Sequence, residues 1–140
     1  MEGKTINWLK VFGFFSPLAL MFLFNFIFLF VGIYAIFENL GILMHLLGGS
    51  LVGYSIFLTL TYFEKLNIVS LDRFSKLTFI VSFVALIAVF WEFFEFSLTY
   101  LTGFSFQGTL ADTMSDLLLG ILGGFTLGIF LILFEKGSFN

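Results

Sequence analysis

Five side chains that could bind a metal or carry a proton lie in or beside long apolar segments of this chain. They are one imidazole and four carboxylates, namely His45, Glu92, Glu95, Asp112 and Asp116. An ionised group at mid-membrane depth costs roughly 2.5–3.5 kcal/mol, so charged side chains gathered in apolar segments indicate a site. The two Glu residues are three positions apart and the two Asp residues four, so each pair lies on one helix face.

Carboxylates at this spacing can bind a divalent metal or share a proton. Adding the imidazole gives a ligand set that suits Zn²⁺, Mn²⁺ or Fe²⁺, whereas the oxygens alone suit Mg²⁺ or Ca²⁺. The sequence therefore predicts a divalent-cation site built from all five side chains. His45, Glu92 and Asp116 are the catalytic candidates, with His45 as a ligand or general base.

Each of these side chains also has a structural interpretation. Glu92 and Glu95 can extend to an aqueous interface, and Asp112 can cap the start of a helix through its carboxylate. A lone histidine such as His45 is commonly a hydrogen-bonded structural residue. At the level of sequence, the metal-binding and the structural interpretations of these side chains both stay open.

Composition indicates an integral membrane protein. Of the 140 residues, 60% are hydrophobic and 11% are charged, whereas a soluble domain has about 25% charged residues. The absence of Cys excludes thiolate chemistry and Cys-ligated zinc. A net charge of −3 argues against a nucleic-acid partner and leaves the lipid bilayer as the expected surrounding.

The elements that must position these residues are helices, because four segments reach the roughly 20 apolar residues needed to span a bilayer. They cover residues 17–37, 41–63, 77–98 and 113–134. Residues 1–16 are expected to include a short interfacial helix. The predicted fold is an all-α integral membrane protein, a four-helix bundle with short loops, in a single domain over residues 1–140.

Positive charges set the predicted orientation. All six Lys and Arg residues fall in the N-terminus, the loop after the second helix or the C-terminus. Since cationic loops stay in the cytoplasm, both termini are predicted to be cytoplasmic in a multi-pass protein of the cell (cytoplasmic) membrane. The imidazole and the four carboxylates then lie towards the outer face.

Glycines at four-residue intervals predict how two of the helices pack. They are Gly49 and Gly53 in the second helix, and Gly120, Gly124 and Gly128 in the fourth. Small residues at this spacing let membrane helices approach closely. We expect these two helices to pack together and to bring His45 towards Asp116. The alternative is that the fourth-helix glycines form a homo-oligomer interface.

In three motifs the chain resembles the YjdF-type inner-membrane protein family. They are His45-x3-Gly49, Trp91-Glu92-x2-Glu95, and Gln107-x4-Asp112-Thr113-x2-Asp116-Leu117, together within residues 41–128. The arrangement is also similar in plan to VanZ-type membrane proteins, although Glu95 stands where those have a Gln. The resemblance implies that the polar residues belong to one site, and it implies no activity.

The leading hypothesis is an outward-facing divalent-cation site, serving a metal-dependent hydrolase or transferase that acts on a lipid or amphiphile. One alternative is a cation or proton binding or transport element in an oligomeric membrane protein. Its inner path would use polar residues of the first and second helices, namely Asn25, Ser55, Thr59 and Thr61. The other alternative is a structural membrane subunit whose polar cluster bonds helices together. Whether the protein is an enzyme stays open.

Overall fold

The computed structural model describes residues 5–37 and 39–135, and within them it contains helices joined by turns and loops. The helices are α1 (Trp8–Phe14), α2 (Ser16–Val31), α3 (Ile33–Ile36), α4 (Leu40–Lys65), α5 (Arg73–Thr102) and α6 (Leu110–Phe134). Three of them, α4, α5 and α6, are long and apolar enough to span a membrane, and the bent pair α1 and α2 is a fourth candidate. The all-helical prediction is therefore confirmed.

The first predicted helix is divided in the structure. Asn7 caps α1 by accepting a hydrogen bond from the backbone N–H of Lys10, and the chain bends by 46° between α1 and α2. Pro17 lies in the first turn of α2, as expected for a residue without an N–H. Gly32 has a φ of +77°, which ends α2 at Val31 and separates it from α3. The single helix predicted over residues 17–37 is therefore two helices in the structure, α2 up to Val31 and the short α3 after Gly32.

The short helix α1 is anchored to the end of α4 through Tyr62. The backbone N–H of Asn7 donates to the Tyr62 hydroxyl at 3.1 Å, and the Lys10 ammonium lies 4.8 Å from the centre of the Tyr62 ring. Phe14 packs edge-on against the same ring at 6.0 Å. The exposed Trp8 and neighbouring apolar side chains of α1 fit the expected interfacial helix.

Local capping fixes the starts of α5 and α6. Asp72 caps α5 by accepting hydrogen bonds from the backbone N–H and the hydroxyl of Ser75, and these bonds lower the pKa of the Asp72 carboxyl. Thr109 caps α6, which therefore begins at residue 110 rather than 113. At the other end of α5, Gly103 has a φ of +74° and terminates the helix.

Helices α4 and α6 are in backbone contact through their glycines. A Cβ at Gly49 would overlap the carbonyl group of Gly120, and a Cβ at Gly53 would lie 3.1 Å from the carbonyl oxygen of Gly124. On its other side, Gly124 packs against Val84 of α5. The predicted packing of the second and fourth helices is therefore confirmed.

The same contacts correct one expectation about partners. Gly120, Gly124 and Gly128 are all buried within the chain, and atoms of α4 and α5 occupy the space around them. These glycines form an interface inside one chain, because no surface is left at them for a second copy.

The buried core is small and lies where α4, α5 and α6 meet. Its buried side chains are Val52, Phe57, Ile80, Val84 and Ile132. Most of the large apolar side chains lie outside this core and are exposed, including many phenylalanines. Apolar exposure on this scale is expected of a surface covered by lipid.

Candidate metal centre

Three helices each contribute one potential ligand to a common point. His45 comes from α4, Glu92 from α5 and Asp116 from α6, and one ligand atom from each lies within 4.8 Å of the other two. His45 Nε2 is 3.4 Å from Asp116 Oδ2. The side chains of His45 and Asp116 are only 17% and 21% exposed, so the cluster is largely shielded by protein.

The glycine contacts explain why these side chains meet. His45 lies one helical turn before Gly49, and Asp116 lies one turn before Gly120. Since Gly49 and Gly120 touch backbone to backbone, the two preceding side chains are held at the same level on facing helices. The predicted approach of His45 to Asp116 is borne out by their separation.

Glu92 is the most enclosed member of the cluster. The residue is 7% exposed, and its Oε2 atom has no hydrogen-bond partner among the described residues. The Thr113 side chain interacts with the same carboxyl group. A buried acceptor left unsatisfied costs about 1–3 kcal/mol, so this oxygen is a group that a cation would stabilise.

Glu95 lies near the cluster but does not belong to it. Among the described residues, the group with mutually close ligand atoms consists of His45, Glu92 and Asp116. Glu95 lines the same cavity, interacts electrostatically with Glu92, and has the Trp91 side chain as a neighbour. Glu95 therefore lies beside the three candidate ligands, whereas the sequence predicts it as one of them.

Asp112 is engaged in helix capping. Its Oδ2 atom accepts from the backbone N–H of Thr109 at 2.8 Å and from the Thr109 hydroxyl at 2.7 Å. In return, the Asp112 backbone N–H donates to the Thr109 hydroxyl, which completes a capping box. Asp112 is exposed and fixed to Thr109, so the structure favours its structural interpretation over its predicted role as a ligand.

The cluster opens into a cavity of about 360 Å³ between α2, α4, α5 and α6. Apolar side chains make up much of the wall, and the acidic residues and His45 occupy one part of it. Among the described residues, the lining contains no Lys and no Arg. A cavity of this size lies at the lower end of the roughly 300–1,000 Å³ typical of small-molecule sites.

Sequence reasoning missed a polar pair on the opposite wall. The Tyr34 hydroxyl donates a hydrogen bond to Asn25 Oδ1, and both residues line the cavity. The available signal was that Asn25 is a single amide within the otherwise apolar α2, which is costly unless the amide has a partner. The sequence instead predicts Asn25 as part of an inner path.

Two other polar residues of the hypothetical inner path, Ser55 and Thr59, use their hydroxyls in hydrogen bonds to backbone oxygens. The Ser55 hydroxyl donates to the backbone oxygens of Phe14 and Leu51, and the Thr59 hydroxyl donates to Ser55. Beneath the cluster of His45, Glu92 and Asp116, the interior is filled by Val84 and Ile80, which are 1% and 0% exposed. The described residues thus provide no continuous polar path from the cluster to the other end.

A second polar cluster, also missed, lies at the opposite ends of the helices around Lys76. The Lys76 ammonium donates to Thr61 Oγ1, Glu64 Oε2 and Glu135 Oε1 at 2.9, 2.7 and 2.8 Å. Lys76 is 2% exposed and its three donors are all used, while the ring of Phe57 lies 4.8 Å away. This cluster joins α4, α5 and the residue after α6.

Comparison with known proteins gives a family and no relative of known activity. No curated protein and no solved structure matches the chain. One family model, described as "Predicted membrane protein (DUF2238)", matches residues 7–137 and so covers all six helices. YjdF-like families fall within this group, which agrees with the resemblance at family level. The chain therefore belongs to the DUF2238 family of membrane proteins.

Proposed function

We propose that His45, Glu92 and Asp116 bind a divalent cation, and that the bound cation serves metal-dependent chemistry on a lipid or amphiphile. The observation that carries the proposal is the enclosed Glu92 carboxylate. Its Oε2 atom has no hydrogen-bond partner among the described residues, and one of its oxygens lies within 4.8 Å of ligand atoms of His45 and Asp116. Acidic side chains gather for many reasons, but a buried oxygen without a donor is a site for a bound water or a cation, and the neighbouring His45 and Asp116 ligand atoms favour the cation.

The distances fit a tetrahedral ion after a small adjustment. With metal–ligand bonds of ~2.0–2.2 Å, two ligand atoms of a tetrahedral site are about 3.4 Å apart. His45 Nε2 and Asp116 Oδ2 already have a separation of 3.4 Å. The remaining separations, up to 4.8 Å, require Glu92 to move by about an ångström towards them.

The donor set favours Zn²⁺, Mn²⁺ or Fe²⁺ over Mg²⁺. One imidazole nitrogen and two carboxylate oxygens match borderline metals, whereas Mg²⁺ prefers oxygen ligands and retains several waters. The commitment of Asp112 to Thr109 removes one oxygen from the set and strengthens this preference. Three protein ligands leave at least one coordination position for a water or a substrate.

Within such a site the metal would activate water or polarise a substrate oxygen, which is the chemistry of hydrolases and transferases. Glu95 is placed to act as a general base, because it lines the same cavity beside Glu92 without belonging to the ligand group. The apolar wall favours an amphiphilic substrate. A transport element is the less favoured alternative, since the described interior beneath the cluster is filled by aliphatic side chains.

The proposed site faces outward in the cell membrane. The described cations, Lys10, Lys65, Arg73 and Lys76, all lie at the ends of helices opposite to the metal-binding cluster, which supports cytoplasmic termini. Since the chain has no Cys, single cysteines can test this. A membrane-impermeant maleimide should label Ser105→Cys in intact cells, and should label Ser70→Cys only after permeabilisation. The reverse pattern would overturn the orientation.

Metal titration of the purified full-length protein tests the central proposal. Calorimetry with ZnCl₂ or MnCl₂ should give one site per chain. Loss of a neighbour of a metal ligand costs 10–100-fold in affinity, so loss of the ligand itself in Glu92→Gln should cost at least about 100-fold.

Glu95→Gln is the matched control, because it makes the same chemical change one helical turn away on the same helix. It should weaken binding by less than about tenfold, since it alters a nearby charge but no ligand. Equal affinities for wild type and Glu92→Gln, or no binding by wild type, would refute the metal site.

A further inference from the structure

The cavity has a polar level and an apolar floor. His45, Glu92 and Asp116 form the polar level, and the floor continues beyond them to Val52 on α4 and Val84 on α5. Val52 lies seven residues after His45 on α4, and Val84 lies eight residues before Glu92 on α5. At 1.5 Å per residue, both are about 10–12 Å from the polar level. The floor lining is aliphatic, thioether or glycine, namely Leu18, Met21, Gly48, Gly49, Val52, Val84, Ile87, Ala88 and Gly120.

The wall formed by α2 and α3 has the same division. Asn25 and Tyr34 are paired through the Tyr34 hydroxyl, while Leu18 and Met21 line the floor beneath them. Because Asn25 Oδ1 accepts from Tyr34, its amide nitrogen is the group left to donate to a ligand. A headgroup would therefore meet polar groups from both walls, and a hydrocarbon chain would meet none.

Charge restricts the headgroup. The described lining holds four carboxylates and no Lys or Arg. An anionic headgroup would be repelled by the unloaded site, whereas a bound divalent cation would offset Glu92 and Asp116 and offer an open position to an oxyanion. Binding of an oxyanion should then depend on the metal.

We infer that the cavity holds a single-chain amphiphile, with its chain on the apolar floor and an oxyanion headgroup at the level of His45, Glu92 and Asp116. This inference rests on the proposed metal site, because the cation supplies the charge that attracts the headgroup. The cavity volume of about 360 Å³ suits one short chain and is small for the two chains of a bilayer lipid.

Trp91 provides the readout, since it lines the cavity and its ring packs on Phe22 at 4.8 Å. A Trp8→Phe background leaves it as the one tryptophan of the chain. The probe is dodecanoate brominated at its second carbon, titrated into protein in phosphatidylcholine nanodiscs with Zn²⁺ or with EDTA. We expect saturable quenching of Trp91 with Zn²⁺, and quenching about tenfold or more weaker with EDTA.

Two further arms test position and headgroup. Dodecanoate brominated at its terminal carbon should quench less, because its bromine would lie on the floor. Unlabelled dodecyl phosphate should compete if any oxyanion is accepted, whereas competition by dodecanoate alone would identify a carboxylate site. Dodecylamine should not compete in the presence of Zn²⁺.

Gly48→Leu fills the floor without touching the cluster. A Cβ at Gly48 would meet the flexible end of Met21 at 3.1 Å and no backbone atom within 4 Å. This variant should lose at least about tenfold in probe affinity while keeping its zinc affinity, because the added bulk occupies the place of the chain. Ser82→Leu adds similar bulk to an exposed position of α5 and should behave as wild type.

Quenching that is the same with EDTA, or the same in Gly48→Leu, would overturn the inference. Stronger competition by dodecylamine would overturn it in favour of a cationic amphiphile. If wild type binds zinc in calorimetry but the quenching of Trp91 is the same with Zn²⁺ and with EDTA, the inference fails and the metal site stands. If wild type binds no zinc in calorimetry, both fail.

Discussion

At the scale of single residues, Glu92 is the side chain whose proposed role in cation binding has a measurable cost for the stability of the fold. Its Oε2 atom is enclosed without a partner among the described residues, although a carboxylate that merely joined helices would be expected to have its hydrogen bonds satisfied. A buried carboxylate oxygen without a hydrogen-bond partner destabilises the metal-free protein, and it is expected where the oxygen binds a ligand such as a cation.

Glu92→Met should therefore separate function from structure. In EDTA the variant should gain about 1–3 kcal/mol in free energy of unfolding, because the unsatisfied acceptor is removed and a side chain of similar length remains. Wild type at a zinc concentration of ~100 Kd should gain about 2.7 kcal/mol, and Glu92→Met should gain nothing. Both quantities can be measured by denaturant unfolding in detergent. A variant less stable than wild type in EDTA would favour the structural role.

Residue spacing predicts part of this site and leaves part of it open. It places Glu92 and Glu95 on one helix face, about one turn apart. Which of the two carboxylates reaches His45 and Asp116 depends on how α5 is rotated about its axis, and residue spacing does not predict that rotation. For Asp112 the signal was present, because Thr109 and Asp112 have the spacing of a capping box. The cluster around Lys76 gave no such signal, since Glu64 and Glu135 are 12 and 59 residues away along the chain.

At the scale of elements, the contact between α4 and α6 builds the site. Gly49 and Gly120 allow the two backbones to touch, and this contact sets the distance between the side chains one turn away. The glycine spacing made this pairing predictable from the sequence. The division of the first predicted helix was harder to foresee, since it depends on the left-handed conformation of Gly32.

Gly49→Ala tests this dependence against Gly41→Ala in the same helix. A Cβ at Gly49 would overlap the Gly120 carbonyl, whereas nothing lies within 4 Å of a Cβ at Gly41. We expect Gly49→Ala to lose about 1–3 kcal/mol in stability through overpacking. Its zinc affinity should also fall, because His45 and Asp116 would separate.

Gly41→Ala should be neutral or stabilising by up to about 1 kcal/mol, since alanine is the better helix former. Thermal unfolding and zinc titration of both variants check this pair of expectations. Equal behaviour of the two would mean that the α4–α6 contact does not position the ligands.

At the scale of the whole molecule, two polar clusters lie at opposite ends of a core without ionised groups. Glu92 and Lys76 are both on α5 and sixteen residues apart, which is about 24 Å. Between them lie the aliphatic core and the glycine contacts. We interpret the Lys76 cluster as the contact that holds one end of the helices together, so that the opposite ends are free to form the cavity beside Glu92.

Lys76→Met should destabilise the protein by about 3–5 kcal/mol, because it leaves two carboxylates beside a buried position without their cation. Adding Glu64→Gln and Glu135→Gln should recover much of the loss, since no unpaired charge then remains. Thermal unfolding in detergent measures both. Zinc affinity of the folded variants should match wild type, and a parallel loss of zinc binding would show that the two clusters are not independent.

The central claim is that a divalent cation is bound by His45, Glu92 and Asp116. The most direct measurement is a crystal structure of the zinc-loaded protein, with anomalous data on both sides of the zinc absorption edge. We expect an anomalous peak ~2.0–2.2 Å from His45 Nε2 and from one oxygen each of Glu92 and Asp116. A map without a peak at this point, or with its peak at Asp112 instead, would contradict it.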